Sequence, residues 1–163
     1  MYNFTMDSTF PKTLVVIPVY NHGKTLRSVV GSALGAGFPV LVVDDGSTDG
    51  GLDTVIDLPI AHHRYPVNRG KGAAILAGAA LAEQSGYEAI LTIDADGQHD
   101  PADGRHLLET AAASWPAVVI GARRMEGESI PRSSVFGRDF SNFWVRLECG
   151  HALPDSQSGY RLY

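Results

Sequence analysis

Blocks of apolar residues alternate with amphipathic blocks along the chain, and this pattern predicts strands and helices in turn. Continuous aliphatic and β-branched runs predict buried strands at 13–17, 40–43, 89–93 and 117–121, with a weaker strand at 62–65. Apolar residues at helical spacing predict helices at 26–34, 72–84 and 101–113, the last with Asp100 as its N-cap and Pro101 at its first position. Apolar strands separated by helices are typical of a mostly parallel sheet with helices on both faces. The sequence therefore predicts a single α/β domain over 1–163.

Polar residues follow the predicted strands at the points where the strands end. In open parallel sheets, ligands bind in the crevice beyond the carboxyl ends of the strands. These ends carry the pairs and triplets Tyr20-Asn21, Asp44-Asp45, Asn68-Arg69, Asp94-Ala95-Asp96 and Arg123-Arg124. The pattern predicts one site at that edge of the sheet, built from several loops.

Composition limits the kinds of binding partner and the cellular compartment that we expect for this protein. A net charge of -5 and a pI near 5.6 argue against nucleic acid as the main partner. The single cysteine, Cys149, excludes a disulfide framework and a cysteine-based zinc site, and it suits a reducing, cytoplasmic setting. The first residues have neither the basic nor the long apolar part of a signal peptide, and no apolar run has the length, about 20 residues, that spans a bilayer.

Asp94 and Asp96, one residue apart at the end of a buried strand, are the main chemical signal. Two unpaired carboxylates at this position would repel each other and lose hydration. Mg²⁺ or Mn²⁺ resolves the repulsion, because such cations take oxygen ligands and share carboxylates with substrate phosphates. Asp and Gly are also common turn residues, and Gly97 follows directly. From these residues alone, a metal site and a simple turn both remain open.

Two other short patterns are excluded by single positions. The run Gly23-Lys24-Thr25 is similar to the end of a P-loop, but Pro18 stands where that loop requires glycine. The run from Asp45 to Gly50 is similar to the start of a calcium loop, but Ile56 replaces the bidentate glutamate at its twelfth position.

An aromatic stripe characterises the segment 133–149. Phe136, Phe140, Phe143, Trp144 and Leu147 would share one face of a helix. This face either packs on its own domain or contacts a lipid-like acceptor or a membrane surface, for which Phe and Trp are suited.

A set of motifs in fixed order resembles the family-2 glycosyltransferases of GT-A fold. The resemblance is closest to the branch of dolichyl-phosphate mannose synthase and related polyprenyl-phosphate sugar transferases, and it extends from about Thr13 to Tyr163. The segments that carry it are 17–21, 42–49, 68–72, 94–101, 121–123 and 155–161. The resemblance implies a Rossmann-like nucleotide-sugar-binding fold, and it favours the metal site over the simple turn.

On the donor side, the resemblance implies a role for each matched residue. Pro18, Tyr20 and Asn21 would line the base pocket, and Asp45 would reach the base or the ribose unless it caps a turn. Lys71 would neutralise a phosphate or contact the base; the alternative is a solvated lysine at a helix start, where a cation is unfavourable without a nearby anion. The diphosphate's Mg²⁺ or Mn²⁺ would be held by Asp94, Asp96 and Gln98.

On the acceptor side, the resemblance implies an anion site. Arg123 and Arg132 would clamp the acceptor, and Arg161 would bind its phosphate. Asp155 would orient the acceptor or act as a base, and Gln157 and Ser158 would line the same pocket. Asp96, Asp155, Arg123 and Arg161 form the expected catalytic set.

The implied activity is a metal-dependent, inverting transfer from a UDP- or GDP-linked sugar to a polyprenyl or dolichyl phosphate or another lipid-linked acceptor. The enzyme would be cytoplasmic, with peripheral association at the inner membrane face as a further expectation. Two alternatives remain: a nucleotidyltransferase acting on a sugar phosphate, and a non-catalytic nucleotide-binding fragment.

Two departures from the family pattern bear on these expectations. His22 replaces a usually acidic residue of the base pocket. The chain also stops soon after Arg161, where relatives continue, and this predicts a domain truncated at its C-terminus.

Overall fold

The computed structural model describes residues 10–122, 155 and 158–163. Their strands and α-helices are β1 Thr13–Val19, α1 Gly23–Gly35, β2 Val40–Asp44, β3 Ala61–Arg64, α2 Lys71–Gln84, β4 Ala89–Thr92, α3 Gly104–Ala112, β5 Val119–Ile120 and β6 Arg161–Leu162. Short 3₁₀ turns at Gly51–Thr54 and Pro101–Asp103 complete the described elements. The predicted alternation of strands and helices is confirmed.

One sheet, with the strand order β3-β2-β1-β4-β6-β5, forms the centre of the fold. Strands β3, β2, β1 and β4 are parallel to one another, whereas β6 runs antiparallel to both β4 and β5. The predicted mostly parallel sheet is therefore confirmed. Strand β6 was not predicted; it brings the closing residues of the chain between β4 and β5.

Helices cover both faces of the sheet, as predicted. Buried residues of α1 and α3 pack in one apolar cluster with Val15, Ile17 and Leu91. Helix α2 packs on the opposite face in a second cluster with Leu14, Val16 and Val43. Its small residues allow a close approach, since a Cβ at Gly78 would overlap the Cγ1 methyl of Val16. The middle of α2 is thereby held close against the sheet.

The third helix begins as predicted, with one refinement. Asp100 has extended backbone geometry, and its side chain accepts a hydrogen bond from the N–H of Ala102 at 2.9 Å, with Pro101 in the first position. This cap opens a 3₁₀ turn, and the α-helix proper follows from Gly104. The predicted strand at 117–121 is shorter than expected, because only Val119–Ile120 pairs with β6.

Several predictions fall outside the described residues. The aromatic segment 133–149 lies there in full, as do Arg123, Arg132 and Gln157. Within the described part of the chain, no helix has the length and apolar character needed to cross a membrane.

Candidate functional site

A cleft of about 310 Å³ lies at the carboxyl ends of β1, β2 and β4, beside the N-terminus of α2. It combines residues of four loops, as the pattern of polar strand ends predicts. Its lining consists of Pro18, Val19, Tyr20, His22, Asp45, Asn68, Lys71, Ala74, Asp94, Ala95 and Asp96. Six of the donor-side residues predicted from sequence therefore lie together: Pro18, Tyr20, Asp45, Lys71, Asp94 and Asp96.

Asp45 braces the loop that leads into α2. The residue is only 2% exposed, and its two carboxylate oxygens accept hydrogen bonds from the N–H groups of Arg69 and Gly70, each at 2.8 Å. Charge-assisted bonds of this kind fix a loop strongly. Asp45 thus lines the cleft and also shapes its wall, and the loop it holds carries Asn68 to the rim.

Asn21 ties the β1 loop to the β2 loop, and it is not among the cleft-lining residues. Its N–H donates to Ser47 Oγ at 3.0 Å, and its side-chain oxygen accepts from the N–H of Thr48 at 2.9 Å. It adopts a left-handed conformation with φ 56, which Asn tolerates better than most residues. Asn21 thus braces these two loops and His22 lines the cleft, while the contact of Asn21 with a base stays a prediction.

Asp49 caps the turn that follows β2, at the same edge of the sheet as the cleft. Its carboxylate accepts hydrogen bonds from Gly23 N–H at 2.8 Å and Gly51 N–H at 3.0 Å. These two donors, Gly23 first, lower the pKa of Asp49 from its ordinary value because they favour the charged form. One side chain thereby joins the start of α1 to the 3₁₀ turn after β2.

Asp94 forms an ion pair with Lys71, the first residue of α2. Lys71 Nζ lies 2.5 Å from Asp94 Oδ1; the lysine side chain is 52% exposed and that of Asp94 is 25% exposed. Oδ1 itself is buried, and the approach of Nζ does not have hydrogen-bond geometry, so Asp94 Oδ1 has an ionic partner but no hydrogen bond. The anion that Lys71 needs at this helix end is supplied by the protein itself.

Gly159 lies directly behind the Asp94 carboxylate. A Cβ at Gly159 would overlap Cγ and both oxygens of Asp94. The Gly159 carbonyl accepts a hydrogen bond from Thr92 Oγ1 at 2.8 Å, so this turn is fastened to β4. Glycine is required here for space, and Asp94 is enclosed between Lys71 and the Gly159 backbone.

Asp96 combines both interpretations of the Asp-x-Asp motif. Its Oδ1 accepts a hydrogen bond from Gln98 N–H at 2.9 Å, which makes a local turn, while the carboxylate lines the cleft. Gln98 is exposed and is not among the lining residues. The structure therefore gives no support to Gln98 as a third ligand.

The residues present fit a divalent cation that is shared with a substrate. Among the described residues, no group of three or more His, Cys, Asp or Glu side chains could hold a metal ion alone. Mg²⁺, however, commonly uses one or two carboxylates together with substrate phosphates and water. Asp94, with its buried oxygen that lacks a hydrogen bond, and Asp96 supply such a pair.

The closing segment is tied to the sheet by its own hydrogen bonds. Ser158 is fully buried, and its hydroxyl accepts from Tyr160 N–H at 3.2 Å, so it holds a turn and has no surface for an acceptor. Tyr160 donates to the carbonyls of Asp100 and Pro101 at 3.2 and 3.3 Å. Burial, followed by the nearby Asp103 and Asp100, raises the pKa of the Tyr160 hydroxyl. Asp155 is 2% exposed.

Arg161 lies apart from the cleft described above. Its Nε donates to the Ser158 carbonyl at 2.7 Å, and its side chain lines a second, more apolar groove of about 750 Å³ along α2. Ile75, Leu76, Tyr87 and Tyr163 are among the residues that line this groove. The acceptor-phosphate role of Arg161 stays a prediction, and the sequence could not show on which face Arg161 lies, because that face depends on the pairing of β6 with β4.

Two solved structures share the fold. Glucosyl-3-phosphoglycerate synthase from Mycobacterium tuberculosis aligns with a TM-score of 0.72 and 23% identity, over 93% of this chain and 56% of that one. Mannosyltransferase PcManGT from Pyrobaculum calidifontis, solved with GDP-Man and Mn²⁺, aligns with a TM-score of 0.54 and 22% identity, over 74% of this chain and 37% of that one. The architecture is thus the GT-A fold of glycosyltransferases.

Sequence comparison identifies the family. The model of Glycosyl transferase family 2 matches residues 14–147. The chain is 33% identical over 163 residues to polyprenol monophosphomannose synthase of Mycolicibacterium smegmatis, a match that covers 93% of this chain and 61% of that protein. It is 33% identical over 162 residues to undecaprenyl-phosphate mannosyltransferase of Micrococcus luteus, a match that covers 93% of this chain and 66% of that protein. The chain belongs to glycosyl transferase family 2. Its predicted resemblance to the polyprenyl-phosphate branch of that family is confirmed. The chain spans about three fifths to two thirds of the length of these two relatives.

Proposed function

We propose that this chain is the donor-binding part of a glycosyltransferase that moves a sugar from a nucleoside-diphosphate sugar to a polyprenyl phosphate. The observation that carries the proposal is the convergence of Asp94, Asp96 and Lys71 in one cleft beside a helix N-terminus. Two carboxylates and a cation at such a position suit a diphosphate that arrives with a divalent metal. The names of the two relatives support the polyprenyl phosphate as acceptor.

The donor would enter with its base near Pro18, Tyr20 and His22. Asn68 and the loop braced by Asp45 would border the ribose. Asp94 and Asp96 would hold Mg²⁺ or Mn²⁺, and the Pyrobaculum mannosyltransferase, which was solved with Mn²⁺, supports this choice of cation. When bound, the metal supplies positive charge that stabilises the departing nucleoside diphosphate.

The acceptor phosphate would attack the anomeric carbon with inversion. A phosphomonoester has a second pKa of about 6 and is mostly dianionic at pH 7, so it needs no strong base. Asp155 would then orient the acceptor or its loop, and it would act as a base only for a hydroxyl acceptor. Arg123, Arg132 and Gln157 retain their predicted acceptor roles as parts of this proposal, and Arg161 would contact the phosphate only if the acceptor reaches the groove along α2.

Association with a membrane surface follows from the proposed acceptor. A polyprenyl phosphate resides in the bilayer with its phosphate at the interface, so the acceptor side of the enzyme would work at that surface. The aromatic segment 133–149 is proposed as the part that meets the lipid.

Transfer of labelled sugar tests this function. The chain is incubated with Mn²⁺, undecaprenyl phosphate in detergent, and UDP- or GDP-linked sugars, and label in the organic phase is measured together with the nucleotide released. Asp96→Asn keeps the acceptor atom for Gln98 N–H but removes the charge, and we expect it to lower transfer by about a hundredfold. Asp53→Asn, in the exposed part of the 3₁₀ turn Gly51–Thr54, is the matched control and should leave transfer unchanged.

The products separate this proposal from its alternatives. Release of nucleoside diphosphate together with labelled lipid supports glycosyl transfer. Release of pyrophosphate would instead identify a nucleotidyltransferase. Nucleotide binding that Asp96→Asn leaves intact, without any transfer, would identify a binding module.

A further inference from the structure

Lys71 and a divalent cation have the same preferred position on Asp94. In the structure, Lys71 Nζ lies 2.5 Å from Asp94 Oδ1, the buried oxygen that has no hydrogen bond. A Mg²⁺ ion bound to that oxygen would lie about 2.0–2.1 Å from it. An ammonium group and a divalent cation on one oxygen repel each other strongly in a partly desolvated cleft. Metal binding at Asp94 Oδ1 therefore requires Lys71 to move.

The Asp94 carboxylate can rotate, but it cannot retreat from Lys71 toward the Gly159 backbone. The Gly159 backbone closes the space behind it, and Thr92 fastens the Gly159 carbonyl to β4 at 2.8 Å. Lys71 is the more mobile partner, because its side chain is long and 52% exposed. The lysine is thus the partner that changes position.

We propose that Lys71 occupies the cation position on Asp94 and exchanges with the metal when the donor binds. This inference rests on the proposed function, since it takes the ligand to be a metal-bound nucleoside diphosphate. Lys71 is the first residue of α2, where a cation without an anion is unfavourable. After leaving Asp94, the Lys71 side chain would form an ion pair with the donor's diphosphate at the same helix N-terminus, where phosphates bind favourably. Metal and nucleotide then bind cooperatively, because the metal frees Lys71 to bind the diphosphate and the diphosphate draws Lys71 away from the metal position.

Mn²⁺ binding measured without turnover tests the exchange. Free Mn²⁺ is counted by electron paramagnetic resonance during titration of the wild-type chain, Lys71→Met and Lys71→Gln. We expect both variants to bind Mn²⁺ alone about fivefold more tightly than wild type, the factor that corresponds to a half-exposed ion pair. Lys24→Met removes an exposed lysine from the first turn of α1 that does not line the cleft, and it should leave Mn²⁺ affinity unchanged.

A second arm uses UDP and GDP as probes. Either nucleotide should increase Mn²⁺ affinity of the wild type more than that of Lys71→Met, because the variant has no cation to release. Asp94→Asn should remove most Mn²⁺ binding, which locates the ion.

The two arms separate failure of this inference from failure of the proposed function. Equal or weaker Mn²⁺ affinity in folded Lys71→Met and Lys71→Gln, verified by circular dichroism, would overturn the exchange. Mn²⁺ binding that survives Asp94→Asn would overturn it as well. Failure of both UDP and GDP to bind in the presence of Mn²⁺ would instead overturn the donor assignment, while the Mn²⁺ arm still decides the exchange.

Discussion

Substitution of Gly159 by alanine tests the packing behind Asp94 most directly. The added Cβ would overlap the Asp94 carboxyl group, so either the turn at 158–160 or the carboxylate must shift. Overpacking that displaces backbone costs about 1–3 kcal/mol. Rotation of the carboxylate gives up a half-exposed ion pair with Lys71, worth at most about 1 kcal/mol. The second response is cheaper, and we expect Gly159→Ala to destabilise the fold by about 1 kcal/mol.

The effect on the metal should be larger than the effect on stability. Once the carboxylate has rotated, Asp94 is no longer in position to share the proposed cation with Asp96. Loss of support for a metal ligand usually lowers metal affinity about 10–100-fold. Urea unfolding gives the free-energy change, and titration with Mn²⁺ gives the change in affinity.

A control and a double-mutant cycle make the result decisive. Gly31→Ala, in α1, adds a Cβ with no atom within 4 Å and should stabilise the helix by about 0.5–1 kcal/mol. In an Asp94→Ala background, Gly159→Ala should cost almost nothing, because its clash partner is gone. If Gly159→Ala retains wild-type Mn²⁺ affinity, or if its full cost persists in the Asp94→Ala background, the packing argument is wrong.

Two further predictions concern the carboxylates that brace the cleft. Asp45→Asn presents an NH₂ group to one of the two backbone donors, Arg69 N–H or Gly70 N–H, and so loses one of the two hydrogen bonds. We expect it to lower the free energy of unfolding in urea by about 1–3 kcal/mol and to speed tryptic cleavage after Arg69. Unchanged cleavage would contradict the bracing role. The pKa of Asp49 is lowered in the fold, so its contribution to stability is present above its unfolded pKa of about 3.9 and is lost as pH falls through the folded value. The difference in unfolding free energy between wild type and Asp49→Asn should therefore be full at pH 7 and vanish in acid, and a difference independent of pH would refute it.

The parallel part of the fold could be predicted from local pattern. Strands β1, β2 and β4 are buried on both faces, so their residues are mostly apolar and stand out in the sequence. Strand β6 has only two residues, and its place is fixed by pairing with Thr92 and Leu91 far away in the chain. No local pattern of two residues carries that information.

The cleft could be predicted as a set of residues, but its internal contacts could not. Polar strand ends must meet at one edge of a parallel sheet, which is why Asp45, Asp94 and Asp96 lie together as expected. Which anion a long lysine meets depends on the distance between the start of α2 and the end of β4, so the Lys71–Asp94 pair is visible only in three dimensions. The left-handed conformation at Asn21 is likewise not visible in the sequence pattern, so the sequence could not show that His22 lines the cleft and Asn21 does not.

The hydrogen bonds of Asp45 and Asn21 hold the loops that frame the cleft, whereas the exposed rim of the cleft does not take part in these bonds. The Asp45 carboxylate is bonded to Arg69 and Gly70, and the Asn21 amide oxygen is bonded to Thr48, so the frame is held by internal bonds. Tyr20, 46% exposed, projects from that frame. The ligand preference of such a cleft can change through substitutions at exposed rim positions, while the loops that carry these positions keep their conformation. Specificity and architecture are therefore free to evolve at different rates.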